Sequence, residues 1–270
     1  MNKLFQVDAF TEEPFKGNPA GVCILEEEQS ETWMLDLARE MNLSETAFIQ
    51  KRNNLYSLRW FTPKIEVSLC GHATLASAHI LYEQSYESPN NEIKFETKSG
   101  ILIAKRNEDQ IELNFPARII AKSEENRDLN KALDIAPVFT GTYRTEKGTL
   151  YLMETASEET IKKITPDFQG IISSKARGVI VTSRSSDIKY DFISRYFAPA
   201  VGINEDPVTG SAHCSLTPYW GKKLNKKHLV GFQASERSGI VNCIWNDDRV
   251  MIGGKAVTVF DIEMKMKKNT

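Results

Sequence analysis

Two distant segments of this chain carry the same pattern, and that repeat restricts the fold more than any other feature. Residues 59–79 read RWFTPKIEVSLCGHATLASAH, and residues 195–213 read RYFAPAVGINEDPVTGSAH. Each begins with arginine, an aromatic residue, phenylalanine, a small residue and proline, and each then passes an acidic residue to reach a glycine. That glycine follows the arginine by 12 positions in the first copy and by 15 in the second. A three-residue loop insertion costs little free energy, so the repeat predicts a duplicated fold of two related lobes. The alternative is chance similarity between two strand–loop–helix units.

The composition is that of a soluble globular protein. Of the 270 residues, 41% are hydrophobic and 26% are charged, and the formal net charge is −2. A surface for nucleic acid or an anionic membrane needs an excess of basic residues, so neither partner is expected. No apolar run approaches the roughly 18–20 residues of a membrane span. The N-terminal sequence MNKLFQVDAF reaches Asp8 before a signal-peptide core could form, and we therefore expect a cytoplasmic protein.

The cysteines give no sign of a disulfide framework or of a metal site. They lie far apart in the sequence, at Cys23, Cys70, Cys214 and Cys243. They form no CxxC pair and show no zinc-ligand spacing, so free, reduced thiols are the simplest account and no metal is expected. The chain also lacks GxGxxG and GxxxxGK[ST] motifs, and binding of a nucleotide cofactor by a standard phosphate cradle is unsupported.

Hydrophobic periodicity predicts strands and helices in mixed order rather than a regular βαβ repeat. A first strand is expected at residues 3–10, and a loop should follow because Gly17, Asn18 and Pro19 all favour turns. That loop is either a plain hairpin connection or one whose backbone amides and Asn18 side chain line a ligand site. Further on, Glu45 lies where a loop becomes the next strand.

The boundary between the lobes is expected near residue 117, because residues 117–134 carry the densest charge and little strand character. The predicted division is a first lobe at residues 1–117 and a second at 118–255, with a C-terminal strand at about 256–270 as a candidate to return to the first lobe.

Each copy of the repeat opens a helix rich in small residues, at Gly71 and at Gly210. A helix N-terminus offers unpaired amides and a partial positive charge, which suit a carboxylate. Two such ends facing each other would hold a small acid. Pro218 interrupts the second helix, which is therefore predicted to be kinked or short there.

Several side chains near these helix starts could handle protons: Glu45, His72, Asp206 and Ser211. Each also has a purely structural interpretation. A glutamate is usually solvated, His72 and Ser211 could cap their helices, and Asp206 could brace the turn before a proline. Cys70 is a further candidate, since a thiol just before a helix N-terminus can act as a base or nucleophile. Against it, free cysteines are often merely buried, and the second copy has no matching thiol.

Six motifs resemble those of the phenazine-biosynthesis isomerase-like (PhzF-like) family, which is related in fold to diaminopimelate epimerase: VDAFTEEPFKGNPAGV, NLSETAF, LRWFTPKIEVSLCGHATLA, SRYFAP, EDPVTGSAH and IGGKAV. They run from the first predicted strand to the last, so the resemblance covers essentially the whole chain. It implies an α+β fold of two pseudo-symmetric lobes, with the active site between them. In each lobe, a curved, mostly antiparallel, barrel-like sheet would wrap around a central helix.

The resemblance also implies a cofactor-free isomerase, and the two helix starts predict that its substrate is a small carboxylate-bearing molecule. The motif glutamate, Glu45, would move the proton, and desolvation would have to raise its pKa for that role. His72, Asp206 and Ser211 match the family's other site positions, with His72 and Asp206 as further catalytic residues. Together with the loop and the two helix starts, this predicts a substrate-binding set of Asn18, Gly71, Gly210 and Ser211. A homodimer is a further expectation. Neither the physiological substrate nor membership of a phenazine pathway follows from the resemblance.

One departure from the related epimerases bears on mechanism. Diaminopimelate epimerases use one cysteine from each lobe, and the first-lobe thiol position here resembles Cys70. The second-lobe position falls at about Pro207, which has no side-chain proton to give. A proton shuttle through the single carboxylate of Glu45 is therefore favoured over a two-thiol mechanism. The competing hypothesis is a catalytically silent member of the fold that binds a small acid or a partner protein.

Overall fold

The computed structural model describes residues 2–145 and 148–265. The chain divides into two compact units, one formed by Met1–Asn114 with Gly253–Thr270 and the other by Phe115–Ile252. Each unit has an α+β architecture. Within the described part of the chain, none of the helices combines the length and the apolar character that crossing a bilayer requires.

The first unit is built on a mostly antiparallel sheet. Its strands are β1 (Lys3–Ala9), β2 (Asn18–Leu25), β3 (Glu45–Arg52), β4 (Leu55–Phe61), β5 (Glu66–Val67), β6 (Ile93–Thr97), β7 (Gly100–Asn107), β8 (Gln110–Pro116) and β18 (Ala256–Ile262). Two of the pairings are parallel, β2 with β3 and β4 with β6. The C-terminal strand β18 pairs with β1, and residues 266–270 of the expected final strand lie outside the described residues.

This sheet curves around a helix that is buried on nearly all sides. That helix is α2 (Gly71–Glu83), which has ten of its thirteen residues buried. The other helix of the unit is α1 (Glu31–Met41), which has Ser30 as its N-cap. Strand β18 at one end of the strand order and β7 toward the other end both contact α2, as a sheet wrapped around a helix requires. The small residues Ala73, Ala76 and Ala78 let the strands approach the helix closely, as the sequence predicts.

The second unit repeats this plan. Its strands are β9 (Ala121–Lys122), β10 (Phe139–Thr145), β11 (Gly148–Glu154), β12 (Gly178–Arg184), β13 (Phe192–Ala198), β14 (Ile203–Glu205), β15 (His228–Gln233), β16 (Gly239–Asn246) and, at its end, β17 (Arg249–Gly254). From β10 to β16 the pairings alternate antiparallel, parallel, antiparallel, parallel and antiparallel. From β1 to β7 the same alternation occurs. The predicted duplication of the fold is therefore confirmed.

The second unit also has its own core and its own small-residue helix. Its helices are α3 (Arg127–Leu133), α4 (Glu158–Lys163), α5 (Phe168–Ser173) and α6 (Gly210–Leu224). Helix α6 contacts β15 and β16, and most of its first eleven residues are buried. The short helices cover a cluster of fully buried apolar side chains that includes Leu129, Leu133, Ile161 and Phe197.

Helix α6 is not shortened at Pro218, so that alternative of the sequence prediction is wrong. Proline has no amide hydrogen and leaves the carbonyl four residues earlier without its helical partner. That carbonyl belongs to Cys214, and it accepts a hydrogen bond from the backbone N–H of Arg118 at 2.9 Å. Because the lost bond is replaced from outside the helix, α6 continues to Leu224.

One other local prediction needs correction. The loop predicted around Gly17 ends earlier than expected, because Asn18 and Pro19 already belong to strand β2. The charged segment at residues 117–134, for which the sequence predicts little strand character, contains helix α3, whose N-cap Asn126 accepts a hydrogen bond from the Leu129 N–H at 3.1 Å. The apolar positions Leu129 and Leu133 lie one turn apart and are buried, a signal that the surrounding charges obscured.

Candidate active site

The start of helix α2 carries the most chemically suggestive cluster of the first unit. Cys70 is the N-cap residue, with extended backbone and no capping bond from its side chain, and Gly71 is the first helical residue. His72 follows, and its ring does not cap the helix. The ring instead makes side-chain contacts to Asn18, Glu45 and Cys70, so the capping interpretation of His72 is wrong.

Asn18 reaches this histidine because of the tight turn before strand β2. Gly17 has a φ of +63°, and a Cβ at that position would lie 2.2 Å from the carbonyl oxygen of Ala9. Only glycine fits such a turn without displacing the backbone. The turn makes Asn18 the first residue of β2, where its side chain is fully buried and its Nδ2 lies 3.3 Å from His72 Nδ1.

Glu45 comes to the same place from strand β3. It is the first residue of that strand, which runs parallel to β2 with Glu45 opposite Ala20. Its carboxylate Oε2 lies 3.4 Å from His72 Nε2, and the residue is only 9% exposed. Glu45 is therefore not a solvated surface glutamate. The structural alternative for this residue is wrong.

The histidine ring is neutral around neutral pH. Burial disfavours the imidazolium ion and lowers the pKa of His72 to about 3. The contact to Glu45 is therefore a close approach of a neutral ring to a carboxyl group rather than an ion pair. If Asn18 Nδ2 donates to Nδ1, the ring carries its proton on Nε2, the nitrogen that lies 3.4 Å from Glu45 Oε2. The ring therefore places no positive charge beside the Glu45 carboxyl group.

Cys70 belongs to the same cluster. Its Sγ lies 3.5 Å from His72 Nδ1 and 4.0 Å from Nε2, and the residue is 6% exposed. Its carbonyl accepts from the Thr74 hydroxyl, which ties the N-cap to the first turn. The four side chains of Asn18, Glu45, Cys70 and His72 thus lie together in one unit.

The second unit places Asp206 beside the start of helix α6. The Thr209 hydroxyl donates to Asp206 Oδ2 at 2.6 Å. Gln233 Nε2 donates to the Asp206 carbonyl at 2.7 Å and to Thr209 Oγ1 at 3.1 Å, while its Oε1 accepts from the Thr209 N–H at 2.9 Å. Gln233 is fully buried. The network fixes the backbone that leads into Gly210, the first residue of α6.

Ser211 is the second residue of α6 and half-buried. Its carbonyl lies 3.4 Å from Arg118 Nη1, which donates to it. Thr209, not Ser211, is the N-cap residue, so Ser211 does not cap the helix by position.

The structure corrects the expected position of the missing second thiol. Cys70 precedes Gly71 as the N-cap of α2, and Thr209 precedes Gly210 as the N-cap of α6. The counterpart of the first-lobe thiol is therefore Thr209 rather than Pro207. A threonine hydroxyl ionises far less readily than a thiol, so the argument against a two-thiol mechanism is unchanged.

Gln233 is the site-associated residue that sequence reasoning missed. Its partners lie 24 and 27 positions earlier in the chain, and no local motif surrounds it. A glutamine at the end of the mostly apolar run HLVGF was the available signal.

An open polar groove lies elsewhere in the second unit. Its volume is about 520 Å³, and its lining includes Glu124, Arg127, Arg144 and Tyr151. None of the predicted site residues lines it. The clusters around His72 and Asp206 therefore stay the better candidates, because they combine buried titratable groups with specific partners.

Comparison with known proteins gives a consistent picture. A family model described as "Phenazine biosynthesis-like protein" matches residues 7–262. An uncharacterised isomerase of Halalkalibacterium halodurans is 50% identical over 264 residues, which cover 97% of each chain. An uncharacterised isomerase of Pseudomonas aeruginosa is 46% identical over 258 residues, covering 95% of this chain and 96% of that one. The crystal structure of a PhzF-family protein from Enterococcus faecalis superposes with a TM-score of 0.91 at 41% identity, covering 98% of this chain and all of that one.

Proposed function

The chain belongs to the family of phenazine biosynthesis-like proteins, and we propose that it is a cofactor-independent isomerase that moves a proton on a small carboxylate-bearing substrate through Glu45. Isomerase is the activity class in the names of its relatives from two bacteria. The observation that carries the proposal is the buried contact between Glu45 and the neutral ring of His72.

Glu45 is suited to take a proton and return it. Burial disfavours the charged form of a carboxyl group, and a neutral imidazole beside it adds no positive charge that opposes this effect. Glu45 lies against such a ring and has little solvent access. Its carboxyl group can therefore accept a proton from one carbon of the substrate and deliver it to another, and general acid–base transfer of this kind typically contributes about 10²–10⁴-fold.

His72 and Asn18 act as positioning groups in this proposal. Asn18 fixes the orientation of the imidazole through Nδ1, and the Nε2 atom then faces Glu45. A ring held in this way packs against the carboxyl group and helps to keep it in a productive geometry. The backbone amides at the start of α2, from Gly71 onward, are the proposed binding site for the substrate carboxylate.

The second unit supplies a further proposed set of binding groups at Asp206, Gly210 and Ser211. Asp206 is 8% exposed, and its carboxyl group accepts from the Thr209 hydroxyl. In this proposal Asp206 stabilises charge that develops during the transfer. That the substrate meets groups of both units stays a prediction, as do the cytoplasmic location and the homodimer.

Exchange with heavy water tests the proposal without knowledge of the physiological substrate. A panel of small cyclic and unsaturated acids is incubated with the enzyme in D₂O, and deuterium incorporation is followed by NMR and mass spectrometry. At least one acid should gain deuterium at a carbon-bound position, and Glu45→Gln should abolish that exchange while the acid still binds. Glu154→Gln is the matched control, since Glu154 is also a buried glutamate but pairs with Tyr219 and Lys223.

The competing function is binding of a small acid without catalysis. The burial of Glu45 in contact with His72 favours the enzyme over this alternative, because acid–base catalysis uses a buried carboxyl group of this kind, whereas binding of a small acid does not require one. Exchange that survives Glu45→Gln would refute the assigned mechanism. A panel of acids that bind but never exchange would favour the binding protein.

A further inference from the structure

Three side chains of the candidate site offer a ligand set that the proton-transfer proposal does not explain. Glu45, Cys70 and His72 each present one donor atom, and these oxygen, sulfur and nitrogen atoms lie within 4.8 Å of one another. All three residues are buried, with exposures of 9%, 6% and 6%. A proton shuttle through Glu45 requires no thiol, yet Cys70 Sγ lies against the same imidazole.

We propose that Glu45, Cys70 and His72 bind a thiophilic divalent cation such as Zn²⁺, and that the bound ion blocks proton transfer by Glu45. The metal site itself stands on the geometry of the three residues. Only the inhibitory part rests on the proposed function.

The spacing of the donor atoms is close to that of a tetrahedral zinc site. With Zn–N and Zn–O bonds near 2.0–2.1 Å and Zn–S near 2.3 Å, neighbouring ligand atoms should lie roughly 3.3–3.6 Å apart. His72 Nε2 and Glu45 Oε2 are 3.4 Å apart, and His72 Nε2 and Cys70 Sγ are 4.0 Å apart. The third pair, Glu45 and Cys70, has its donor atoms within 4.8 Å, so side-chain movements of up to about 1 Å would complete the geometry. Three protein ligands leave the fourth position for water or a substrate carboxylate.

Charge balance favours the same kind of ion. A thiolate and a carboxylate together carry two negative charges, which a divalent cation cancels, so the complex is neutral in a buried place. On binding, the Cys70 thiol forms the Sγ–Zn bond and its proton leaves to solvent. The imidazole proton moves from Nε2 to Nδ1, where the Asn18 side-chain oxygen accepts it after the amide turns over. Imidazole, thiolate and carboxylate ligands suit Zn²⁺ and disfavour Mg²⁺ or Ca²⁺, which prefer oxygen ligands alone.

The cysteine spacing in the sequence gave no hint of this site. Its ligands come from the first residue of β3 and from the start of α2, which are 25 positions apart, and only one of them is a cysteine. Metal motifs read from sequence depend on short, regular intervals. This site depends on the fold, which brings β3 and the N-terminus of α2 together.

Cobalt substitution tests the binding part without an activity assay. Co²⁺ added to the wild-type protein should produce visible absorption typical of a tetrahedral site and a thiolate-to-cobalt band in the near ultraviolet. Zn²⁺ should displace it, whereas Mg²⁺ should not. Cys70→Ser should remove the thiolate band, and Cys214→Ala should keep it, since Cys214 is an equally buried thiol in the second unit.

Two further variants keep the test decisive if Cys70→Ser does not fold. Glu45→Gln preserves the shape but removes a charged ligand, and Asn18→Ala removes the partner of the imidazole. Loss of such an outer partner typically weakens metal affinity about 10–100-fold, and we expect that loss for Asn18→Ala. The metal site is overturned if wild-type protein gives no thiolate band, or if the affinity for Co²⁺ is the same in both variants as in wild type.

The inhibitory part is measured by deuterium exchange on an acid that the wild-type enzyme turns over. Zn²⁺ should stop exchange, and a chelator should restore it. Exchange that continues with Zn²⁺ bound, as monitored by displacement of Co²⁺, overturns inhibition but leaves the site. If no acid exchanges in metal-free protein, the proposed function fails, while the cobalt spectra still decide on the site.

Discussion

Arg195 binds Glu205 through two parallel hydrogen bonds, from Nε at 2.7 Å and from Nη2 at 2.8 Å. The first unit contains the same pair, because Arg59 binds Glu66 through Nε at 2.8 Å and Nη2 at 2.7 Å. Each glutamate precedes the first glycine of its helix by five positions. The three-residue insertion in the second copy therefore lies between arginine and glutamate, where the turn Pro199–Val201 is found.

The two arginines should differ in their contribution to stability. Arg195 also donates to the carbonyls of Ile161 and Ile164 at the end of α4, and its side chain is 12% exposed, against 30% for Arg59. Lysine cannot reproduce the bidentate pair or the additional bonds. We expect Arg195→Lys to lower the free energy of unfolding by roughly 1.5–3 kcal/mol and Arg59→Lys by less than about 1 kcal/mol. Urea denaturation measures both, and equal losses would contradict this account.

The repeat was readable from the sequence because the same contacts were kept in both copies. The RWFTP and RYFAP segments become β4 and β13, and in β4 the alternation of buried and half-exposed residues follows the period of a strand. Small residues predicted a packed central helix, which α2 confirms. The family resemblance implied that Glu45 and His72 are site residues, and the structure brings them into contact.

The failures have local physical causes. Glycine and proline indicate turns, but Pro19 lies within strand β2. The parallel pairing of β2 with β3 begins only at Ala20. The missing N–H of Pro19 therefore removes no hydrogen bond to β3. Pro218 was expected to disturb α6, and the replacement bond from Arg118 comes from about 100 positions away. Contacts of this kind depend on tertiary structure, and no pattern along the chain reports them.

Cys70→Ala separates a structural thiol from a catalytic one. Cys70 is buried beside His72, and the proposed mechanism gives it no proton to carry. The substitution should lower the free energy of unfolding by roughly 1–2 kcal/mol and leave deuterium exchange largely intact. A loss of exchange as large as that of Glu45→Gln would make the thiol a participant and revive an epimerase-like mechanism.

Stability should fall in mild acid because of His213. Burial lowers the pKa of His213 to about 4, while its Nδ1–H donates to the Thr209 carbonyl at 2.9 Å. The unfolded chain, with a pKa near 6.5, then binds a proton that the folded chain does not. The stabilisation is present above pH 6.5 and is lost as the pH falls toward 4, by roughly 3 kcal/mol in all.

The measurement compares unfolding free energies of wild type and His213→Asn at pH 7.5 and pH 5. Asparagine can donate to the same carbonyl but does not titrate, and His72, which is also buried with a lowered pKa, is present in both proteins. The variant should therefore lose less stability on acidification. The same loss in both proteins would exclude His213 as the cause.

The turn at Gly17 should be more sensitive to alanine than a comparable turn elsewhere. Gly17 combines positive φ with a Cβ position 2.2 Å from the Ala9 carbonyl oxygen, whereas Gly100 has a φ of +94° and no atom within 4 Å of its Cβ position. Gly100→Ala should therefore cost only about 1 kcal/mol from backbone conformation. Gly17→Ala should cost at least about 2 kcal/mol and reduce exchange, because it displaces Asn18. Equal effects on stability would show that the close approach is relieved by local movement.

Gln233 should control substrate binding through the start of α6. Its side chain makes three hydrogen bonds within the Asp206–Thr209 turn, and leucine, although similar in size, would leave those buried groups without a partner. Each buried group left without a partner typically costs about 1–3 kcal/mol, so Gln233→Leu should destabilise the second unit by at least that amount.

If Asp206 and the amides after Gly210 hold the substrate, KM for an exchanging acid should rise more than kcat falls. Gln50→Leu, at a half-exposed glutamine of the first unit, is the control and should change neither. An unchanged KM in a folded Gln233→Leu protein would remove the second-unit turn from the proposed binding site.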